Sequence, residues 1–124
     1  RIMTGTFVLS KDFQKEYYAK AQKVRRLIQD ETNKIFNDFD FIILPTAPAT
    51  AFKLETKNQN PVEMYLEDVF TVHANLSGIP AISLPLGLHS NKMPFGVQIL
   101  SRKFSEQSLL AFADFLMHNN QKFF

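Results

Sequence analysis

Asp68, Thr71 and Asn75 are the residues of this sequence whose types and spacing could do chemistry. They fall in a stretch that reads as one helix from Asn60 to Ser77. Asn60 can cap it, Pro61 suits a first helical position where its missing N–H is not needed, and Glu63 favours the positive helix end. Gly78 and then Pro80 supply the stop. At about 100° per residue, Tyr65, Val69, Val72 and Leu76 share one apolar face. Asp68 and Asn75 fall at the edge of that face with Thr71 beside them, whereas Glu67 points well away. A carboxylate, an amide and a hydroxyl set against an apolar surface suit a pocket wall. The same spacing describes a polar stripe at the core margin, solvated or satisfied by neighbouring backbone, and the spacing alone favours that plainer reading.

No other constellation offers catalytic machinery. His73, His89 and His118 have no metal-ligand spacing among themselves or with carboxylates. There is no Gly-rich phosphate loop and no Gly-x-Ser-x-Gly elbow, and no serine has a lysine three residues later. Zero Cys excludes disulfides, thiolate metal sites and a Cys nucleophile. A net charge of +2 is too small to argue for nucleic acid or an anionic membrane, and no apolar run approaches the ~20 residues of a membrane span. With 124 residues, 45% of them hydrophobic and 13 of them Phe, the chain is one domain in size. So many large apolar side chains imply a substantial core, or a surface buried against something else. Arg1-Ile-Met-Thr is neither a natural start nor a signal peptide, so the chain reads as excised from something longer.

The elements that must position these residues follow in order. Arg1 to Leu9 is an entry segment, extended over Thr6-Phe7-Val8-Leu9. Ser10 is the expected N-cap of a long helix to about Phe36, with Asp12 in its first turn. Phe13, Tyr17, Ala21, Val24, Ile28 and Ile35 form its apolar stripe, and Lys20, Lys23, Arg25 and Arg26 a solvated face. Phe39 to Leu44 predicts a buried strand in a mostly parallel region. The stiff loop Pro45-Thr46-Ala47-Pro48 follows at the edge where open α/β sheets bind ligands, so Thr46 is a candidate for the pocket lining. Phe52 to Asn60 reads as surface loop. Ala81–Pro85 and Phe95–Leu100 predict an antiparallel strand pair, with Gly96 admitting close backbone approach and Gln98 the one strongly polar residue in the run. A last helix starts at Ser105, with Phe104 and Leu109 forming a hydrophobic staple and Leu109, Phe112, Phe115 and Leu116 on its buried face.

Several stretches together resemble the amidase signature family. They include Met64-Tyr65-Leu66-Glu67-Asp68-Val69-Phe70-Thr71-Val72 and Ala74-Asn75-Leu76-Ser77-Gly78-Ile79-Pro80-Ala81-Ile82-Ser83. Arg1-Ile-Met-Thr-Gly-Thr-Phe, Tyr17-Tyr18 with Ala21-Gln22-Lys23-Val24-Arg25, Leu44-Pro45-Thr46-Ala47-Pro48, Pro94-Phe95-Gly96-Val97-Gln98 and Phe104-Ser105-Glu106 extend the likeness over nearly the whole chain. Asn-Leu-x-Gly-x-Pro is shared across the wider family. The Met-Tyr-x-x-Asp run and the Arg1 segment are similar to the A-subunit family of the glutamyl-tRNA(Gln) amidotransferases. His73 departs from that pattern, which has Pro there.

The resemblance implies part of an α/β/α fold, a mixed sheet flanked by helices, with residues 1–124 as a single C-terminal fragment and the N-terminal half absent. It implies a parent enzyme of the cytoplasm that hydrolyses glutamine and passes ammonia to a partner. The partner, with ATP and Mg, converts Glu-tRNA(Gln) to Gln-tRNA(Gln), in a complex with B and C subunits and no membrane. The family's Ser–cis-Ser–Lys triad and its Gly-Gly-Ser-Ser segment have no counterpart in this sequence, so no catalytic residue and no cofactor is expected here. What the resemblance assigns to this stretch is substrate binding. Arg1 would grip the glutamine α-carboxylate and Asp68 would accept from the α-ammonium, with Thr46, Thr71 and Asn75 as pocket lining. Two other readings stand beside this one: a fragment of another amidase signature hydrolase of small amides, and a non-catalytic binding module with a Phe-rich docking face. The expected outcome on the leading reading is that this polypeptide alone releases no glutamate from glutamine above a buffer blank. Turnover that survives repurification would overturn it.

Overall fold

The computed structural model describes residues 2–10, 13–53 and 61–119. Three strands form its sheet: β1 (Phe41–Pro45), β2 (Ala81–Leu88) and β3 (Pro94–Ser101), in the order β1-β3-β2. Both pairings are antiparallel, Ile43 opposite Ile99 on one side and Ile82 opposite Ile99 on the other. The expected hairpin is therefore present. The expected buried, parallel setting for β1 is not: Ile43 is 52% exposed, and a continuous apolar run carries neither direction nor depth of burial. Lys92, at φ 63, turns the chain between β2 and β3, and a bulge between Pro85 and Gly87 shifts the register near the hairpin end.

The period of two along β3 gives the sheet different faces. Val97 and Ile99 join Leu84, Ile82 and Phe41 against α5 (Glu106–Asn119), which contributes Leu109, Ala113, Phe112 and Leu116. The rings of Phe41 and Phe112 stack with centroids 4.4 Å apart. Gln98 and Leu100, both buried, belong to the alternate set of β3 positions. Helix α5 begins after Ser105 as the sequence predicts, and the Leu109 N–H bonds the Ser105 carbonyl. Its staple is not made. Phe104 has φ 62 and is 84% exposed, its ring under the Lys103 ammonium rather than on Leu109. Phe115 is also exposed, and the small Ala113 takes the buried position because close approach to the sheet favours it.

The N-terminal half departs more from expectation. Ile2–Leu9 is helix (α1), not an extended entry, and none of its residues is buried. Phe7 turns back onto Phe13 at 4.3 Å, and both rings lie about 6 Å from Tyr17. That local aromatic packing outweighs the β-branched signal of Thr6 and Val8. The Ser10 hydroxyl donates to the Phe7 carbonyl, closing α1 rather than capping the next helix, and Asp12 lies outside the described residues. A π-helical turn over Gln14–Tyr18 leads into α2 (Ala19–Asp38), roughly 30 Å long at the usual rise. Its buried positions are Thr32 and Phe36, while Val24 and Ile35 of the expected stripe stay largely exposed.

The helix expected from Asn60 to Ser77 is two helices, α3 (Pro61–Leu66) and α4 (Thr71–Ser77), separated by a turn over 67–70. The start at Pro61 and the stop at Gly78 are as predicted, and the Asn60 cap lies outside the described residues. Gly78 adopts the left-handed conformation at φ 69 and returns its N–H to the Ala74 carbonyl at 2.8 Å.

Helix α4 docks on α2 through polar contacts. The Thr32 hydroxyl donates to the Ile28 carbonyl at 2.7 Å, which uses its one hydrogen, so the His73 Nε2 at 3.0 Å must be the donor to Thr32. Arg25 Nε and Gln29 Nε2 both donate to the Leu76 carbonyl, an orphan acceptor at the end of α4. Arg25 thus caps a neighbouring helix instead of belonging to a purely solvated face. Leu27, Ile35, Val69 and Val72 remain exposed along this groove, and β1 and β2 are both edges of the sheet among the described residues. Exposed apolar side chains and open strand edges promote association. The isolated chain is expected to bind a hydrophobic dye in its native state or to self-associate in sedimentation. A monomeric, dye-silent chain with sharp cooperative unfolding would count against that.

Candidate functional site

The loop after β1 is tied to the sheet just beyond the end of the strand. The Thr46 N–H bonds the Gly96 carbonyl at 3.1 Å, one step past the β1–β3 ladder. The Thr46 and Ser83 hydroxyls lie 2.8 Å apart, although β1 and β2 flank β3 on opposite sides and so are roughly 9–10 Å apart. Gly96 permits the meeting. A Cβ there would lie 2.8 Å from the Leu84 carbonyl oxygen and 3.2 Å from Thr46 Oγ1. Further along, Asn91 Nδ2 donates to Thr50 Oγ1 at 2.9 Å, tying the loop to the β2–β3 turn.

Residues 46–52 then wall two cavities. One, of about 420 Å³, is lined by Thr46, Ser83, Gly96, Pro85 and Phe95. The other, of about 500 Å³, is bounded by Pro48, Phe52, Leu66 and Glu67. Ala47, Ala49 and Ala51 contribute to both, so the two adjoin.

Asp68 sits half-buried in the turn between α3 and α4. The turn is anchored from the sheet: Gln98 is 6% exposed, and its Nε2 donates to the Phe70 carbonyl at 3.0 Å. The Val72 N–H and the Thr71 hydroxyl both bond the Asp68 carbonyl, at 3.0 and 3.2 Å. Asn75 Nδ2 donates to the Thr71 carbonyl at 3.2 Å. The Thr71 hydroxyl hydrogen and one Asn75 amide hydrogen are thus bonded to backbone of their own turn. Arg1 lies outside the described residues.

Because the helix breaks after Leu66, the 100° spacing does not carry through the turn. Glu67, expected to point away, stands on the wall of the larger cavity. Sequence reasoning also missed Ser83, whose place opposite Gln98 in an alternating strand was the only available signal, and gave Gln98 no task. Among the described residues, no three His, Asp or Glu side chains gather as a metal site, and no helix is long and apolar enough to cross a membrane.

Comparison with known proteins adds a lineage. The Amidase family model matches residues 1–110. The chain is 54% identical over 121 residues to the A subunit of the glutamyl-tRNA(Gln) amidotransferase of Legionella pneumophila subsp. pneumophila, covering 97% of this chain and 25% of that protein. The Brevibacillus brevis protein of the same name is 50% identical over 91% of this chain and 23% of its own length. In structure, the chain is similar to the crystal structure of the glutamyl-tRNA(Gln) amidotransferase A subunit from Thermotoga maritima, with TM-score 0.71 and 50% identity over 85% of this chain and 23% of that one. It is also similar to 6-aminohexanoate cyclic dimer hydrolase, with TM-score 0.64 and 29% identity over 78% of this chain and 23% of that one. The chain spans about a quarter of the length of the curated relatives it matches. With the family model matched over residues 1–110 and identities of 50% and above along nearly its full length, the chain belongs to the Amidase family.

Proposed function

We propose that residues 1–124 are the C-terminal portion of the glutaminase subunit of a tRNA-dependent amidotransferase. On this reading the whole subunit hydrolyses glutamine. The ammonia serves a B subunit, which uses ATP and Mg to convert Glu-tRNA(Gln) to Gln-tRNA(Gln), with a C subunit completing the complex. This portion contributes substrate recognition through Asp68 and Arg1. The carrying observation is that Asp68 lies half-buried on a turn clamped by the Gln98–Phe70 bond, directly after Glu67 on the cavity wall. The clamped turn fixes the Asp68 backbone, and a carboxylate on it would accept from an ammonium, which selects a free amino acid over a simple amide.

Identity supports the same branch: 50–54% to the amidotransferase proteins, compared with 29% to the cyclic dimer hydrolase. The 29% relative keeps a second reading in view, a hydrolase of small amides, which has no use for an ammonium acceptor at position 68. Thr71 and Asn75 enter this proposal as supports of the turn rather than as ligand contacts, since both are bonded to nearby backbone.

The test is Asp68→Ala in the assembled complex. A charge-assisted hydrogen bond is worth about 1.5–3 kcal/mol, so glutamine affinity should fall roughly 10- to 150-fold. Amidation with ammonia supplied directly should be little changed, because that step is proposed for the partner subunit. Asp114→Ala, on the exposed face of α5, should alter neither reaction. Equal loss in both reactions on changing Asp68 would assign it a structural role and leave the small-amide reading in place.

A further inference from the structure

Gln98 projects from backbone that has no freedom to follow it. It is paired with Leu44 on one side and Ser83 on the other, so both ladders fix the base of its side chain. From there its buried amide donates to the Phe70 carbonyl at 3.0 Å. Phe70 is the N-cap residue of α4, and its own side chain makes no capping bond. The Asp68 carbonyl receives the Val72 N–H and the Thr71 hydroxyl, so the Asp68 backbone is joined to the same first turn of α4. A shift of Phe70 therefore carries Asp68 with it.

The flanking helices do not hold this turn unaided. At six and seven residues, α3 and α4 are too short to be stable by their own hydrogen bonds. Arg25 and Gln29 anchor the far end of α4, at the Leu76 carbonyl. Gln98 ties the end that carries Asp68. The tether is also neutral. A Lys or Arg at position 98 would donate to the same carbonyl, but it would add a cation that competes with a ligand's ammonium for a nearby carboxylate. An amide holds the backbone without adding charge. We propose that Gln98 is a positioning residue for ligand recognition: through the Phe70 carbonyl it sets where Asp68 stands, and so governs how tightly the amino-acid end of the ligand is held. The proposal rests on the reading of Asp68 as the ammonium acceptor.

The experiment uses the complete assembled amidotransferase and measures the glutamine KM and kcat, with ammonia-dependent amidation as the control for folding and assembly. Gln98→Met keeps the length of the side chain and removes its donor. It should raise the glutamine KM roughly 5- to 30-fold with kcat changed less than about twofold, since the lost bond bears on binding and not on the reacting atoms. In an Asp68→Ala background the same change should alter KM less than about twofold, because a residue that acts through Asp68 then has nothing left to position. An unchanged KM in Gln98→Met would overturn the role. So would losses that multiply in the double variant, or a fall in kcat or in ammonia-dependent amidation as large as the rise in KM, since each marks a general structural part. If Asp68→Ala alone leaves KM unchanged, it is the ammonium-acceptor reading that fails, and the positioning role falls with it.

Discussion

The architecture depends on β3 being paired along both of its edges. A central strand has no free ladder groups, so everything that approaches the site must be hung from its side chains or from the strands beside it. Gln98 does the first, carrying a buried amide to the Phe70 carbonyl and fixing the turn that holds Asp68. Gly96, two residues earlier and in phase with it, does the second by having no side chain, so that Thr46 and Ser83 meet over it. The alternate residues, Val97 and Ile99, are committed to α5. One eight-residue strand thus separates a packed apolar side from a side that organises polar groups.

What was legible in the sequence was local. The Gly78 stop, the Pro61 start, the β2–β3 hairpin and the beginning of α5 each depend on contacts within a few residues, and each is where its signal put it. The break at 67–70 was not legible. Met64 to Thr71 has no Pro or Gly, and its apolar spacing continues through the turn. The competing force comes from outside the segment: α4 is aligned by Thr32, Arg25 and Gln29 on α2, and Phe70 is held by β3. Tertiary bonds to four separate side chains outweigh propensity in so short a stretch.

The candidate site divides along the same line. Thr46 was readable as a loop residue at a strand end, and it does line a cavity. Its partner Ser83 was not, because the meeting requires strand order, and strand order is not written in either segment. Glu67 was misplaced for the reason the helix was drawn too long. Thr71 and Asn75 show that a polar residue at a helix margin often spends its hydrogen bonds on the turn before it, as both do.

The docking of α4 on α2 has a consequence for how the chain assembles. The hairpin of β2 and β3 closes through a short turn, whereas the bond from Arg25 to the Leu76 carbonyl joins residues 51 apart, and that from Arg102 to the Phe36 carbonyl joins residues 66 apart. Loop-closure entropy rises only with the logarithm of length, but each long closure must be met before its contacts return anything. The hairpin therefore closes a short loop, whereas docking α2 on α4 and on the end of β3 closes long ones. The turn that carries Asp68 is tied to both, to β3 through Gln98 and, by way of α4, to α2 through Arg25.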